Sequence, residues 1–112
     1  IVEPAIGGTK RYLLQLAHRI DREEFELTLA VSTLRDPNFE RHIRELCESG
    51  LRVVVDPMRR AIRLLSDWRC YRKLLALIRD GHFDVVHTHS SKAGFLGRRA
   101  AWRVKPRPRI LY

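Results

Sequence analysis

Residues 83–101 read FDVVHTHSSKAGFLGRRAA, and this stretch decides the fold. Phe83, Val85 and Val86 form a short apolar run of strand formers. It leads into the polar segment Thr88-His89-Ser90-Ser91-Lys92 and then into a helical run in which Ala93, Gly94, Gly97, Ala100 and Ala101 are all small. A strand that ends in a polar loop and passes into a helix able to lie close on a sheet is one βα unit of a parallel α/β protein. Each glycine costs about 1 kcal/mol in a helix interior relative to alanine, so close packing of this helix on the sheet is the expected reason for its composition. Approach of a ligand at Gly94 is the other reading.

The same alternation extends over the whole chain. Residues 1–3 are an apolar stub closed by Pro4. Ala5-Ile6-Gly7-Gly8 is a turn, and Thr9 can cap a helix carrying Leu13, Leu16, Ala17 and Ile20 at helical spacing. Residues 25–32 alternate as a strand. Asp36-Pro37 starts a second helix with Phe39, Ile43, Leu46 and Cys47 on one face, and Gly50 ends it. Residues 51–55 are a compact β-branched run, expected as a buried parallel strand. After a loop, Ser66 or Asp67 caps a third helix with Trp68, Tyr71, Leu74, Leu75 and Ile78 on its apolar side, and Gly81 stands where a C-terminal glycine belongs. Residues 83–87 are the fourth strand, 91–104 the fourth helix and 109–112 the fifth strand. Right-handed crossovers leave few topologies for this pattern. The expected one is a Rossmann-like three-layer α/β sandwich with a parallel sheet of about five strands in the order 3-2-1-4-5.

A chain of 112 residues admits one domain, and no apolar run approaches the ~20 residues that span a bilayer. No charged n-region precedes an apolar h-region, so no signal peptide is expected. The chain does not begin with Met, and both ends read as strands cut short, which suggests a piece of a longer protein. With 22 Lys plus Arg against 13 Asp plus Glu, the net charge of +9 attracts anionic partners: nucleic acid, phosphorylated substrates or acidic lipid. No helix-turn-helix, zinc-finger or aromatic RNA-binding pattern occurs, so nucleic acid is not expected as a partner. Cys47 and Cys70 read as reduced, core or half-buried thiols of a cytoplasmic protein, with a disulfide between them as the alternative.

In sheets of this kind ligands bind beyond the carboxyl ends of the strands, where strand order reverses; here that is between strands one and four. The loops in question are residues 4–9 and 88–92. Gly7 and Gly8 let backbone N–H groups approach an anion at a helix N-terminus, although a plain tight turn would use the same residues. There is no G-x-G-x-x-G, strand two ends on Val31-Ser32-Thr33 with no acidic residue, and no G-x-x-x-x-G-K-[ST] occurs. No cofactor is therefore expected. His87 and His89 share one strand face by the period of two, but no third ligand accompanies them, so no metal is expected. His87 reads as a sheet-end histidine and His89, one step further out, as the candidate contact. Ser90, Ser91 and Lys92 either cap the next helix or donate to a phosphate or a sugar hydroxyl.

The run at 83–101, together with GGTKRYLLQLAHRI at 7–20 and DPMRRAIRLLSDWRCYRKLLALIRDGHFD at 56–84, resembles the family-4 glycosyltransferases of GT-B fold that build bacterial surface polysaccharides. The resemblance implies two Rossmann-like domains with a cleft between them. In that cleft a sugar passes from a nucleotide-sugar to a glycan or lipid-linked acceptor, with retention of configuration and usually without a metal. Residues 1–112 would be part of the N-terminal, acceptor-side domain. The nucleotide-gripping domain, and the family's histidine beside the transferred sugar, would lie beyond Tyr112. No catalytic residue is therefore expected within this chain, nor turnover by the chain alone. The resemblance places Gly7, Gly8 and Thr9 near the donor, and His87, His89, Ser90, Ser91, Lys92 and Gly94 on the acceptor side. Arg59, Arg60, Arg63, Arg69, Arg72 and Lys73 would face an anionic membrane, each contributing about 1 kcal/mol, or else form a solvated helix face. The implied location is cytoplasmic, peripheral at the inner face of the cytoplasmic membrane. The alternative is a stand-alone flavodoxin-like regulatory or anion-binding domain, for which Glu3 and Asp56 would supply the acidic strand ends.

Overall fold

The computed structural model describes Ile1 and residues 8–32, 37–58 and 61–112. Helices and strands alternate: α1 (Gly8–Arg19), β1 (Thr28–Val31), α2 (Pro37–Glu48), β2 (Arg52–Val55), α3 (Leu64–Gly81), β3 (Val85–His87), α4 (Ser91–Arg103) and β4 (Arg109–Leu111). Both strand pairings, β1 with β2 and β3 with β4, are parallel, so the fold is mixed α/β. The chain forms two compact units, Pro4–Pro57 and Ile1–Glu3 with Met58–Tyr112.

In the first unit β1 and β2 pair with Thr28 opposite Arg52 and Val31 opposite Val55, and α2 packs on β2. Leu13 and Ala17 of α1, Leu29 to Val31 of β1, and Phe39, Ile43 and Leu46 of α2 make its core. Gly50 stops the chain after α2 with φ 88°, a left-handed conformation that glycine adopts without steric cost. Three expectations need correction here. The first strand of this unit starts at Thr28 rather than at residue 25. Asp21 holds a turn instead, its carboxylate accepting from Glu23 N–H at 2.9 Å and its carbonyl from Phe25 N–H at 2.9 Å, and Phe25 is exposed. Cys47 is exposed, because Phe39, Ile43 and Leu46 already define the buried stripe and the next residue turns about 100° away from it. The β-branched run of β2 is only half-buried, since among the described residues this strand pairs along one edge alone.

In the second unit β3 and β4 pair with Val85 opposite Arg109 and His87 opposite Leu111. On the other edge of β3 the Ile1 amino group donates to the His87 carbonyl at 2.7 Å, and the Ile1 carbonyl accepts from His89 N–H at 2.9 Å. The described residues thus hold four strands in two pairs. Of the expected first strand only Ile1 is described, and it runs beside β3. Helix α3 packs on α4, with Met58, Cys70, Leu74, Ile78, Val86, Ala93, Leu96, Ala100, Ala101 and Val104 buried.

The buried stripe of α3 is Cys70, Leu74 and Ile78, at successive four-residue steps. Trp68 lies off that stripe and is exposed, contrary to its expected place on the apolar side. The helix also begins earlier than expected, at Leu64. Asp67 still serves its start, because its Oδ2 accepts from the backbone N–H of the N-cap Arg63 at 3.0 Å. At the other end the left-handed residue is His82 (φ 49°), not Gly81. Gly81 is needed for a different reason: a Cβ there would overlap the Phe83 ring. No helix among the described residues is long and apolar enough to cross a membrane.

Candidate functional site

The loop that follows β3 is anchored by a residue between its two histidines. Thr88 is fully buried, and both its backbone N–H (3.0 Å) and its hydroxyl (3.2 Å) donate to the Leu111 carbonyl. Its methyl group faces α4, where a Cβ added to Gly97 would come 2.8 Å from Thr88 Cγ2. With Thr88 turned inward, strand alternation sends His87 and His89 to the same face. Their rings lie with centroids 4.1 Å apart, tilted by 43°. Burial lowers the pKa of both imidazoles below the ordinary histidine value. The Ile1 amino group adds to this at His87, and His87 and then the Ile1 amino group add to it at His89. The lowered pKa favours the neutral ring at both positions, the form with one N–H donor and one ring-nitrogen acceptor.

Ser90 sits at the N-cap of α4 with φ 69° and ψ 163°, an unusual backbone conformation for a residue other than glycine. Its carbonyl accepts from Gly94 N–H at 2.9 Å, but its side chain makes no capping hydrogen bond, unlike the expected cap. Ser91 is the first residue of the helix and is exposed. Lys92 reaches toward α3: its Nζ lies 2.5 Å from Asp67 Oδ1 and donates to the Ala61 carbonyl at 2.6 Å. The space over Gly94 is filled by Tyr112, whose Cε2 would stand 2.5 Å from an added Cβ, and Arg98 lies over the same ring at 4.4 Å.

On the expected donor side, Gly7 lies outside the described residues. Gly8 is the first residue of α1 and exposed, and a Cβ added to it meets nothing within 4 Å. Thr9 is already inside the first turn rather than at the cap. Of the basic set, Arg59 and Arg60 lie outside the described residues. Arg63, Arg69, Arg72 and Lys73 are exposed, and Arg72 lies over the Trp68 ring at 5.0 Å. No three His, Cys, Asp or Glu side chains among the described residues are placed to hold a metal ion together. Two residues that shape the loop, Thr88 and Asp67 as the partner of Lys92, are not among the site residues expected from the sequence. Asp67 is the only acidic residue in the basic run 59–73, and that could have marked it as a counter-ion.

The sequence profile of Glycosyltransferase Family 4 matches residues 6–112. The chain is also 30% identical over 99 residues to UDP-Gal:alpha-D-GlcNAc-diphosphoundecaprenol alpha-1,3-galactosyltransferase of Escherichia coli, an alignment covering 88% of this chain and 24% of that protein. The chain therefore spans about a quarter of the length of this relative. No solved structure matches it significantly. With parallel βα units throughout and the family profile running from the first glycine loop to the last residue, this chain belongs to glycosyltransferase family 4.

Proposed function

We propose that the whole protein transfers a sugar from a nucleotide-sugar to a glycan or lipid-linked acceptor with retention of configuration, and that residues 1–112 are part of its N-terminal, acceptor-side Rossmann-like domain. The observation that carries this reading is the family match over residues 6–112. The activity for which the E. coli relative is named, with a UDP-galactose donor and an acceptor linked through diphosphate to undecaprenol, supports the donor and acceptor classes. For the domain we propose a five-stranded sheet in the order 3-2-1-4-5. The parallel pairings β1–β2 and β3–β4, and Ile1 beside β3, are neighbours in that order.

In this reading the loop after β3 meets the acceptor. Neutral imidazoles at His87 and His89 can both donate to and accept from sugar hydroxyls, and the Ser90 and Ser91 hydroxyls extend that set. Lys92 holds the loop in place through Asp67, and Gly94, without a side chain, leaves room beside it. Gly7, Gly8 and Thr9 lie near the donor diphosphate, where a backbone without side chains permits close approach to an anion. Arg63, Arg69, Arg72 and Lys73, with Arg59 and Arg60, face anionic lipid at the inner face of the cytoplasmic membrane.

The test is steady-state kinetics of the whole protein with a nucleotide-sugar and a lipid-diphosphate glycan, comparing wild type with His89→Ala. The loss of one hydrogen bond should lower kcat/KM for the acceptor by roughly 5- to 150-fold. Calorimetric titration with the nucleotide-sugar should be unchanged. Absence of sugar transfer from every nucleotide-sugar would overturn the activity. Loss of donor binding with acceptor kinetics spared would move the loop to the donor side.

A further inference from the structure

We propose that a cavity at the amino ends of β3 and β4 binds a small molecule that carries a phosphate group on an apolar body. The cavity has a volume of about 470 Å³, within the range of ligand pockets. Its floor is apolar: Ile78 near the end of α3, Val104 after α4 and Pro108 before β4 are all buried. Phe83 and Val85 continue the apolar wall, and Val85 remains 47% exposed. The loop that follows β3 lies at the opposite, carboxyl end of the same strands, so this cavity is no part of the candidate site described above.

The mouth of the cavity is positive. Lys105, Arg107 and Arg109 line it together with His82, against the single carboxylate of Asp84. None of these three cations makes a side-chain hydrogen bond or an ion pair among the described residues. The carboxyl ends of α3 and α4 also lie here, each equivalent to about −0.5 charge. The three cations outweigh Asp84 and both helix ends by about one charge, and Arg103 in the last turn of α4 raises the excess to about two. Arg107 is held over the Trp102 ring at 4.4 Å, which orients its guanidinium before any ligand arrives. Guanidinium and ammonium groups together match the oxygens of a phosphate, and a phosphate ester brings about −1.5 to −2 charge, closer to this excess than a carboxylate. A phosphate without a body would leave the apolar floor uncovered, so the ligand has an aliphatic or aromatic part as well. This inference is independent of sugar transfer.

The experiment titrates the 112-residue chain with phenyl phosphate, inorganic phosphate, phenol and benzoate, followed by two-dimensional amide NMR. Phenyl phosphate should shift the amides of residues 82–85 and those of Lys105, Arg107 and Arg109. It should bind at least about tenfold more tightly than inorganic phosphate or phenol, and more tightly than benzoate. Arg107→Gln with Arg109→Gln should weaken phenyl phosphate binding at least about tenfold. Arg69→Gln with Arg72→Gln removes the same charge elsewhere and should leave binding within about twofold, as should Gly8→Val. An equal loss in both arginine pairs would reduce the effect to net charge and overturn the site. Shifts centred on residues 8–10 or 87–92 would place the anion at the candidate site instead. If the glutamine pair disturbs the fold, the four probes on the unaltered chain still decide. Equal affinity for phenyl phosphate and inorganic phosphate would overturn the apolar part, benzoate binding as tightly as phenyl phosphate would overturn the phosphate, and no shift with phenyl phosphate would overturn the proposal as a whole.

Discussion

Lys92 Nζ lies 2.5 Å from Asp67 Oδ1, joining the first turn of α4 to the first turn of α3, with the two side chains only 11% and 16% exposed. The same carboxylate accepts from Arg63 N–H, and the same ammonium donates to the Ala61 carbonyl. One ion pair therefore sets the entry to α3 and the entry to α4 together. Removing one partner leaves a largely buried charge without its counter-ion. Asp67→Asn and Lys92→Met should each lower stability by about 1–3 kcal/mol, between the values for exposed and for buried pairs. Denaturant unfolding of both variants and of the double variant is the check. The double should lose less than the sum, and strict additivity would show that the two groups are not coupled.

Gly97 and Gly94 should respond differently to alanine. At Gly97 the new Cβ meets Thr88 Cγ2 at 2.8 Å and Ile1 Cδ1 at 3.0 Å, and Thr88 is buried and doubly bonded to Leu111. Gly97→Ala should cost about 1–3 kcal/mol by overpacking. At Gly94 the obstacle is the Tyr112 ring, at the end of a flexible side chain on a residue that is 68% exposed, so it gives way more readily than buried Thr88. Gly94→Ala should therefore cost less. Equal thermal midpoints for the two variants would contradict this ranking.

Acid should weaken the fold through the histidine pair. Burial depresses the pKa of His87 and His89 in the folded chain, so the unfolded chain binds these protons more readily. The resulting stabilisation is fully present above the ordinary histidine pKa of about 6.5 and is lost as pH falls through the lower folded values. Urea midpoints measured from pH 7.5 to 5 should fall, and His89→Gln should flatten the decline. A His89→Gln profile that still tracks wild type would assign the acid sensitivity to other groups.

Gly8→Val separates stability from activity. Gly8 is exposed and an added Cβ meets nothing within 4 Å, so stability should change by less than about 1 kcal/mol. If this backbone approaches a diphosphate, the branched side chain obstructs it, and sugar transfer by the whole protein should drop at least about tenfold. Near-normal turnover would remove Gly8 from the donor side.

Local features of the fold were legible in the sequence, because they depend on residues that are neighbours in the chain. The period of two put His87 and His89 on one face, the 3.6-residue period marked α2 and its Phe39, Ile43 and Leu46, and Gly50 ended that helix in a left-handed conformation. Alternation of these elements was enough for a parallel α/β fold, and the order of motifs along the chain was enough for the family. Tertiary structure decided what depends on distant partners. The apolar side of α3 could be read around Trp68 or around Cys70, and packing against α4 chose Cys70. Gly81 was legible as a terminal glycine, but only the position of the Phe83 ring shows that it supplies space while His82 supplies the left-handed turn. Lys92 was legible as a donor in a polar loop, but its ion pair with Asp67 joins residues far apart in sequence. Periodicity and propensity are written in adjacent residues, whereas burial and ion pairing are settled only when separate elements meet.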